Sequence, residues 1–280
     1  MIKGRNDMNH YVEGKLLIIG GAEDKKGECK ILKRFIQEAG GRESRVVVLT
    51  AATEMPEQVG SEYKELFENL GAAEVQVLDI AERVSANRES ISQELQKATG
   101  IFFTGGDQLR ITGILGGTRL GRTLHNLYQR GVIIAGTSAG ASVMSDTMIV
   151  GGEAGTPKKD TLTMAPGLGL LHSVVVDQHF AQRGRIGRLL TAIAQNPYVL
   201  GVGIDEDTSI LVYSDGHFTV VGSQTVTVVD ASPTMASNVS EISPGQALVL
   251  TPVLMHILSD GYRFDLKRRA ASLNETPSGG

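Results

Sequence analysis

The sequence predicts an α/β fold, a three-layer α/β/α sandwich around a mostly parallel central sheet, with antiparallel strands in its C-terminal part. Three observations carry this prediction. Apolar runs of strand length alternate with stretches of helical periodicity through the first half of the 280-residue chain. Those runs are apolar along their whole length, the mark of parallel strands covered on both faces. After about residue 205 the pattern changes to short β-like segments separated by turns such as Ser214-Asp215-Gly216.

Taken in order, residues 1–14 read as a loose tail, and Lys15–Ile19 as a buried strand ending in Gly20-Gly21. Cys29, Leu32, Phe35, Ile36 and Ala39 follow helical spacing, and Gly40-Gly41 stops that helix. Arg45–Thr53 is the second strand. Pro56 opens a helix with Val59, Tyr63, Leu66, Phe67 and Leu70 on one face. A strand over Glu74–Ile80 and a helix over Ser90–Ala98 follow, then a strand over Gly100–Asp107 and a helix over Thr118–Arg130. Val132–Ala135 is a short buried strand. Met148–Gly152 reads as a strand, Glu153–Gly169 as a Gly/Pro-containing loop, Val174–Val176 as a strand and Arg183–Gln195 as a helix. The strands Val199–Ile204, Ser209–Tyr213, His217–Val221, Thr225–Val229 and Ala247–Leu250 close the pattern. One domain over residues 15–266 is expected, with flexible ends at 1–14 and 267–280.

Composition narrows the functional classes. Hydrophobic residues make up 41% and charged residues 21%, ordinary globular usage. A net charge of −4 gives no general attraction to nucleic acid or to a membrane surface. Cys29 is the single cysteine, so no disulfide framework is expected. Neither a bilayer-spanning run nor the apolar middle of a signal peptide is visible, and the cytoplasm is the expected location.

The chemistry gathers around Gly136-Thr137-Ser138-Ala139-Gly140, a G-x-S-x-G sequence between a buried strand and a helix-compatible stretch. A serine on such a strand-to-helix turn is pushed out at the sheet edge, and the flanking glycines leave room for the tight backbone. Its base must come from another segment. Of six histidines, only His179 lies just past the carboxyl end of a buried strand, where ligands of α/β sheets bind and where Ser138 also lies. For the orienting acid the same rule points to Asp205-Glu206-Asp207. Strand alternation favours Glu206, with Asp205, Asp207, Glu153 and Asp177 as alternatives. The backbone N–H of Ala139, with that of Gly105 or Gly106, suits an oxyanion. Arg183, Arg185 and Arg188 concentrate positive charge soon after His179. Arg185 and Arg188 share a helix face, so a substrate bearing carboxylates is expected.

The same segments, together with Thr104-Gly105-Gly106-Asp107-Gln108, Asp177-Gln178-His179-Phe180 and Gly203-Ile204-Asp205-Glu206, resemble the cyanophycinase family of serine peptidases, related to aspartyl dipeptidases. The resemblance spans roughly residues 15–264. It implies a class I glutamine amidotransferase-like, flavodoxin-like fold. It further implies exolytic hydrolysis of the poly-aspartate backbone of cyanophycin (multi-L-arginyl-poly-L-aspartate) to β-Asp-Arg dipeptides. Ser138 would be the nucleophile, His179 the base and Glu206 the orienting acid. Gln108, Asp177, Gln178, Arg183, Arg185 and Arg188 would line the substrate pocket. The implied protein is an intracellular homodimer using neither metal nor cofactor. Two other readings compete: an α-aspartyl dipeptidase acting on short Asp-X peptides, and a nucleotide-binding protein suggested by Gly20-Gly21. The latter lacks the full G-x-G-x-x-G pattern.

Overall fold

The structure, a computed structural model, describes residues 13–273. The first strand, β1 (Leu16–Ile19), is buried at every position. Helix α1 (Lys30–Glu38) turns Ile31, Leu32, Phe35 and Ile36 inward, and β2 (Arg45–Leu49) follows. Helix α2 (Pro56–Asn69) begins on a proline, whose missing N–H is harmless in a first turn. Next come β3 (Glu74–Leu78), α3 (Glu89–Leu95) and β4 (Gly100–Phe103). Asp107 caps α4 (Gln108–Leu115) by accepting the Leu109 N–H at 2.8 Å, and Thr118 caps α5 (Arg119–Gln129). Strand β5 (Ile133–Thr137) leads through Ser138 into α6 (Ala139–Ser142).

The second half comprises β6 (Thr147–Gly152), β7 (Leu162–Pro166), β8 (Val174–Gln178), α7 (Ile186–Gln195) and β9 (Leu200–Ile204). Then β10 (Thr208–Val212), β11 (His217–Gly222) and β12 (Val226–Asp230) follow. The described chain ends with β13 (Ala236–Ser237), β14 (Leu250–Thr251), β15 (Leu254–Leu258), β16 (Tyr262–Asp265) and β17 (Ala270–Leu273).

The strands form a nine-stranded sheet ordered β17-β16-β11-β10-β1-β5-β4-β2-β3 and a four-stranded sheet ordered β15-β12-β9-β8. From β1 to β3 the large sheet is parallel; from β10 to β17 it is antiparallel. Helices α1 and α2 cover one face through an aromatic cluster of Phe35, Tyr63, Phe67 and Phe102, with ring centroids 4.7–5.8 Å apart. Burying each ring stabilises the fold by roughly 1.5–3 kcal/mol. The opposite face packs Leu120 and Leu124 of α5 at its parallel end. At its antiparallel end Ile18, Ile210 and Phe218 meet Val176, Val202 and Val228 of the small sheet. Helix α7 then covers the outer side of the small sheet with Leu189 and Ile193 against Val175 and Val229. The expected three layers thus hold over the parallel half, and the second sheet adds a further layer beyond it.

Several expectations need correction. Residues 267–280 are not loose throughout, because Ala270–Leu273 pairs with β16. The expected tail over 1–14 falls outside the described residues as far as residue 12; the Gly14 N–H donates to the Tyr128 carbonyl at 2.9 Å. The loop over 153–169 contains β7, which pairs with β6. Of the expected strand Ala247–Leu250 only Leu250 belongs to a strand, β14, while Ala247 forms an isolated bridge with Lys158. Helix α4 has no counterpart among the expected elements; at eight residues with an internal glycine it shows too little periodicity. Helix α7 starts at Ile186 rather than Arg183, since Gly184 at φ +59° closes a turn ahead of it. Among the described residues no helix is long and apolar enough to cross a membrane.

Candidate active site

The loops after β1, β5, β8 and β9 converge at one end of the two sheets. Ser138 adopts φ +54° and ψ −110°, a conformation strained for a residue with a Cβ. It is held there by its own N–H, which donates to the Ile19 carbonyl at 3.1 Å. The helix beyond has only four residues, so aligned peptide dipoles add little, and isolated amides must supply any stabilisation of an anion.

His179 follows β8 on the small sheet and also has positive φ, +48°. Its N–H donates to the Gly20 carbonyl at 2.8 Å. Its imidazole lies on Gly21, where a Cβ would sit 2.4 Å from the ring, so only glycine fits beneath it. His179 Nε2 is 3.1 Å from Ser138 Oγ, and Nδ1 is 2.6 Å from Glu206 Oε1. The imidazole is 11% exposed and the Glu206 side chain 36%. This is a continuous hydroxyl–imidazole–carboxylate chain. The carboxylate fixes the proton on Nδ1 and leaves Nε2 free to accept the serine proton.

Glu206 is singled out by what its neighbours do. The chain crosses from the small sheet (β9) to the large one (β10) through Asp205-Glu206-Asp207, and crosses back between β11 and β12 through Ser223-Gln224-Thr225. Asp205 accepts from Thr225 Oγ1 at 2.7 Å and from the Ala181 N–H at 2.9 Å. Asp207 accepts from Ser223 Oγ at 2.7 Å and from the Asp24 N–H at 2.9 Å. Both aspartates knit the two crossings together, and the intervening glutamate faces the histidine. Glu153 lies exposed at the end of the β6 strand, and Asp177 is committed elsewhere.

The position of a Cβ on Gly105 lies 3.5 Å from Ser138 Cβ. Gly106, at φ +142°, passes so close to Ala52 that a Cβ would come within 2.1 Å of its carbonyl oxygen. The amides of Gly105 and Gly106 donate to no acceptor among the described residues. The Ala139 amide, at the first position of α6, has no intrahelical acceptor. The Ala139 amide directly after the serine and the Gly105 amide on the glycine beside it are therefore left without acceptors among the described residues.

The six expected pocket residues divide sharply. Asp177 does not line a pocket: its side chain has 0% exposure. Arg188 grips it with both ends of the guanidinium, Nε donating to Oδ2 at 2.8 Å and Nη2 to Oδ1. Arg185 Nη1 donates to the Gln178 carbonyl at 2.5 Å, to Gln178 Oε1 at 3.1 Å and to Asp177 at 3.4 Å. The arginine forks expected to meet a substrate carboxylate meet the protein's own, because a buried charge requires a partner. Burial and the adjacent charge of Arg188 push the Arg185 guanidinium down to about 10, partly countered by Asp177. Two guanidiniums against one carboxylate leave one positive charge in excess. Gln108 spends its amide group on the Ile149 and Val150 carbonyls, at 3.0 and 3.3 Å, tying α4 to β6. Arg183 is exposed and pairs with no acid among the described residues. Two concavities of about 570 Å³ are lined by other residues, and Ser138 itself is half-buried.

A model of peptidase family S51 matches residues 16–221. The chain belongs to that family. This S51 peptidase is 41% identical over 256 residues to a cyanophycinase of Nostoc sp., covering 91% of this chain and 86% of the relative. It is 39% identical over 262 residues to a cyanophycinase of Geminocystis herdmanii, covering 93% and 96%. Its fold also resembles the crystal structure of a peptidase from an acI-B1 actinobacterium, with a TM-score of 0.61 and 22% identity, covering 88% of this chain and 98% of that one.

Proposed function

We propose that this S51 peptidase hydrolyses the aspartate backbone of cyanophycin by acyl transfer and releases β-Asp-Arg dipeptides from the polymer end. The observation that carries the reading is the Ser138–His179–Glu206 hydrogen-bond chain in a sequence 41% identical to a cyanophycinase over 91% of its length. Ser138 Oγ attacks an aspartyl carbonyl while His179 Nε2 takes its proton, and Glu206 holds the imidazolium. The oxyanion accepts from the Ala139 N–H and from Gly105 or Gly106. The carbon–nitrogen bond breaks as His179 returns the proton to the leaving amine. Water then attacks the acyl-enzyme by the same route and frees the serine. Exposed Arg183, near the surplus charge of Arg185 and Arg188, supplies a positive surface for carboxylates. The working protein in this reading is a cytoplasmic homodimer.

Incubation with insoluble cyanophycin, followed by mass spectrometry of the dissolved material, tests the substrate. β-Asp-Arg dipeptide is the expected product. Cleavage of Asp-X dipeptides with the polymer left intact would replace this reading with that of an aspartyl dipeptidase. The acid has its own test. Glu206→Gln is expected to lower kcat by about ten-thousand-fold, by the tautomer argument, without changing thermal stability. Asp205→Asn is expected to destabilise the protein, because it loosens the strap between the sheets. Equal kcat losses in two equally stable variants would remove Glu206 from its assigned role.

A further inference from the structure

The loop after β1 makes more contacts with the catalytic turns than a connecting segment requires. From the last residue of β1, Ile19, to Glu23 the chain meets these turns in succession. The Ile19 carbonyl accepts the Ser138 N–H, the Gly20 carbonyl accepts the His179 N–H, and Gly21 underlies the imidazole while its carbonyl accepts the Asp207 N–H at 2.9 Å. Ala22 turns the chain at φ +47°. Glu23 then enters the core, 5% exposed.

Its carboxylate accepts two hydroxyl hydrogen bonds. Thr137 Oγ1 donates to Oε2 at 2.5 Å, and Tyr63 OH donates to Oε1. No lysine, arginine or histidine among the described residues forms an ion pair with Glu23. Lys25 stands over the Tyr63 ring instead, 4.1 Å from its centroid, and pairs with Glu62. A carboxylate buried without a paired cation is costly, and an apolar residue would pack the same space at lower cost. What the carboxylate supplies is a fixed direction. Thr137 immediately precedes Ser138, whose strained conformation persists only if its surroundings over-determine it. Tyr63 anchors the other oxygen to the aromatic cluster between α2 and the sheet.

We infer that Glu23 is a positioning residue for the hydrolytic reaction. Acting through Thr137, it fixes the nucleophile turn relative to the glycine platform that carries His179. The inference rests on the assignment of Ser138 as nucleophile, so its test must separate the two.

The test compares Glu23→Ala, Thr137→Val and Thr137→Ser with the unmodified protein. Three quantities are measured: kcat and KM on soluble cyanophycin fragments, urea midpoints, and the rate at which a fluorophosphonate labels Ser138. In that labelling the serine oxygen displaces fluoride from phosphorus, so its rate reports the alignment of Ser138 with His179 independently of substrate binding. Glu23→Ala and Thr137→Val are expected to lower kcat and the labelling rate together by about 10- to 100-fold, with KM within about twofold. Thr137→Ser keeps the hydroxyl and is expected to restore both rates to within about threefold. Folded Thr137→Val protein that labels and turns over at the unmodified rate would overturn the inference. So would Thr137→Ser losing as much as Thr137→Val. Unmodified protein that neither labels nor cleaves would overturn the Ser138 assignment and this inference with it, whereas normal labelling in every variant defeats only the role of Glu23.

Discussion

Ser138→Ala is expected to lower kcat by about a million-fold while leaving the folded protein as stable as before. The size of the loss follows from serine and histidine acting as one unit, since neither retains its role when the other is removed. The backbone amides of Ala139, Gly105 and Gly106 remain, so activity above the uncatalysed rate persists at a level set by electrostatics alone. Stability is preserved because the backbone at φ +54° is fixed by the Ser138 N–H bond to Ile19 and not by the hydroxyl. Alanine carries the same Cβ and the same strain. Hydrolysis measured beside thermal melting checks both halves. A folded alanine variant with more than about one percent of normal kcat would mean that bond cleavage runs through another group.

The second large effect concerns stability. Asp177→Ala is expected to cost about 3–5 kcal/mol, seen as a lowered urea midpoint, because it strands two guanidiniums that are 9% and 10% exposed. Arg183→Ala, two and five residues from those arginines, removes an exposed charge and is expected to shift stability by no more than about 0.5 kcal/mol. Its effect should fall on KM for the polymer. The contrast separates structural from substrate-facing cations within one short segment. If Asp177→Ala were as stable as the unmodified protein, the buried cluster would not be holding the β8–α7 corner together.

This segment also shows where sequence reading stops. Arg185 and Arg188 are three residues apart, and that spacing correctly places them together on one side of the chain. What sits between them is set by β8, eight and eleven residues upstream, and a charge pattern does not say which carboxylate fills a fork. The central parallel strands β1 and β4 are legible because no position carries a polar side chain. Yet such a strand looks the same in either of two sheets, so the separate sheet carrying His179 was not visible. Alternation favours Glu206 among three consecutive acids, and in the structure Glu206 is the one that meets His179. The serine and threonine that satisfy its neighbours lie sixteen and twenty residues away, beyond the reach of a local pattern. Glu23 left no signal at all. An acid inside Gly-Gly-Ala-Glu-Asp-Lys-Lys reads as a solvated loop, and only the fold turns it inward.

The double crossing at residues 205–207 and 223–225 bears on how this scaffold can change. With three residues spanning from one sheet to the other, the acid of the proposed triad sits on a taut link with no spare length. A single inserted residue would swing Glu206 out of line or part Asp205 from Thr225. The start of the segment joining β6 to β7 is the opposite case, with residues 153–156 all exposed. New selectivity can accumulate there by insertion and deletion. At the crossings, variation is confined to exchanging one side chain for another at fixed length.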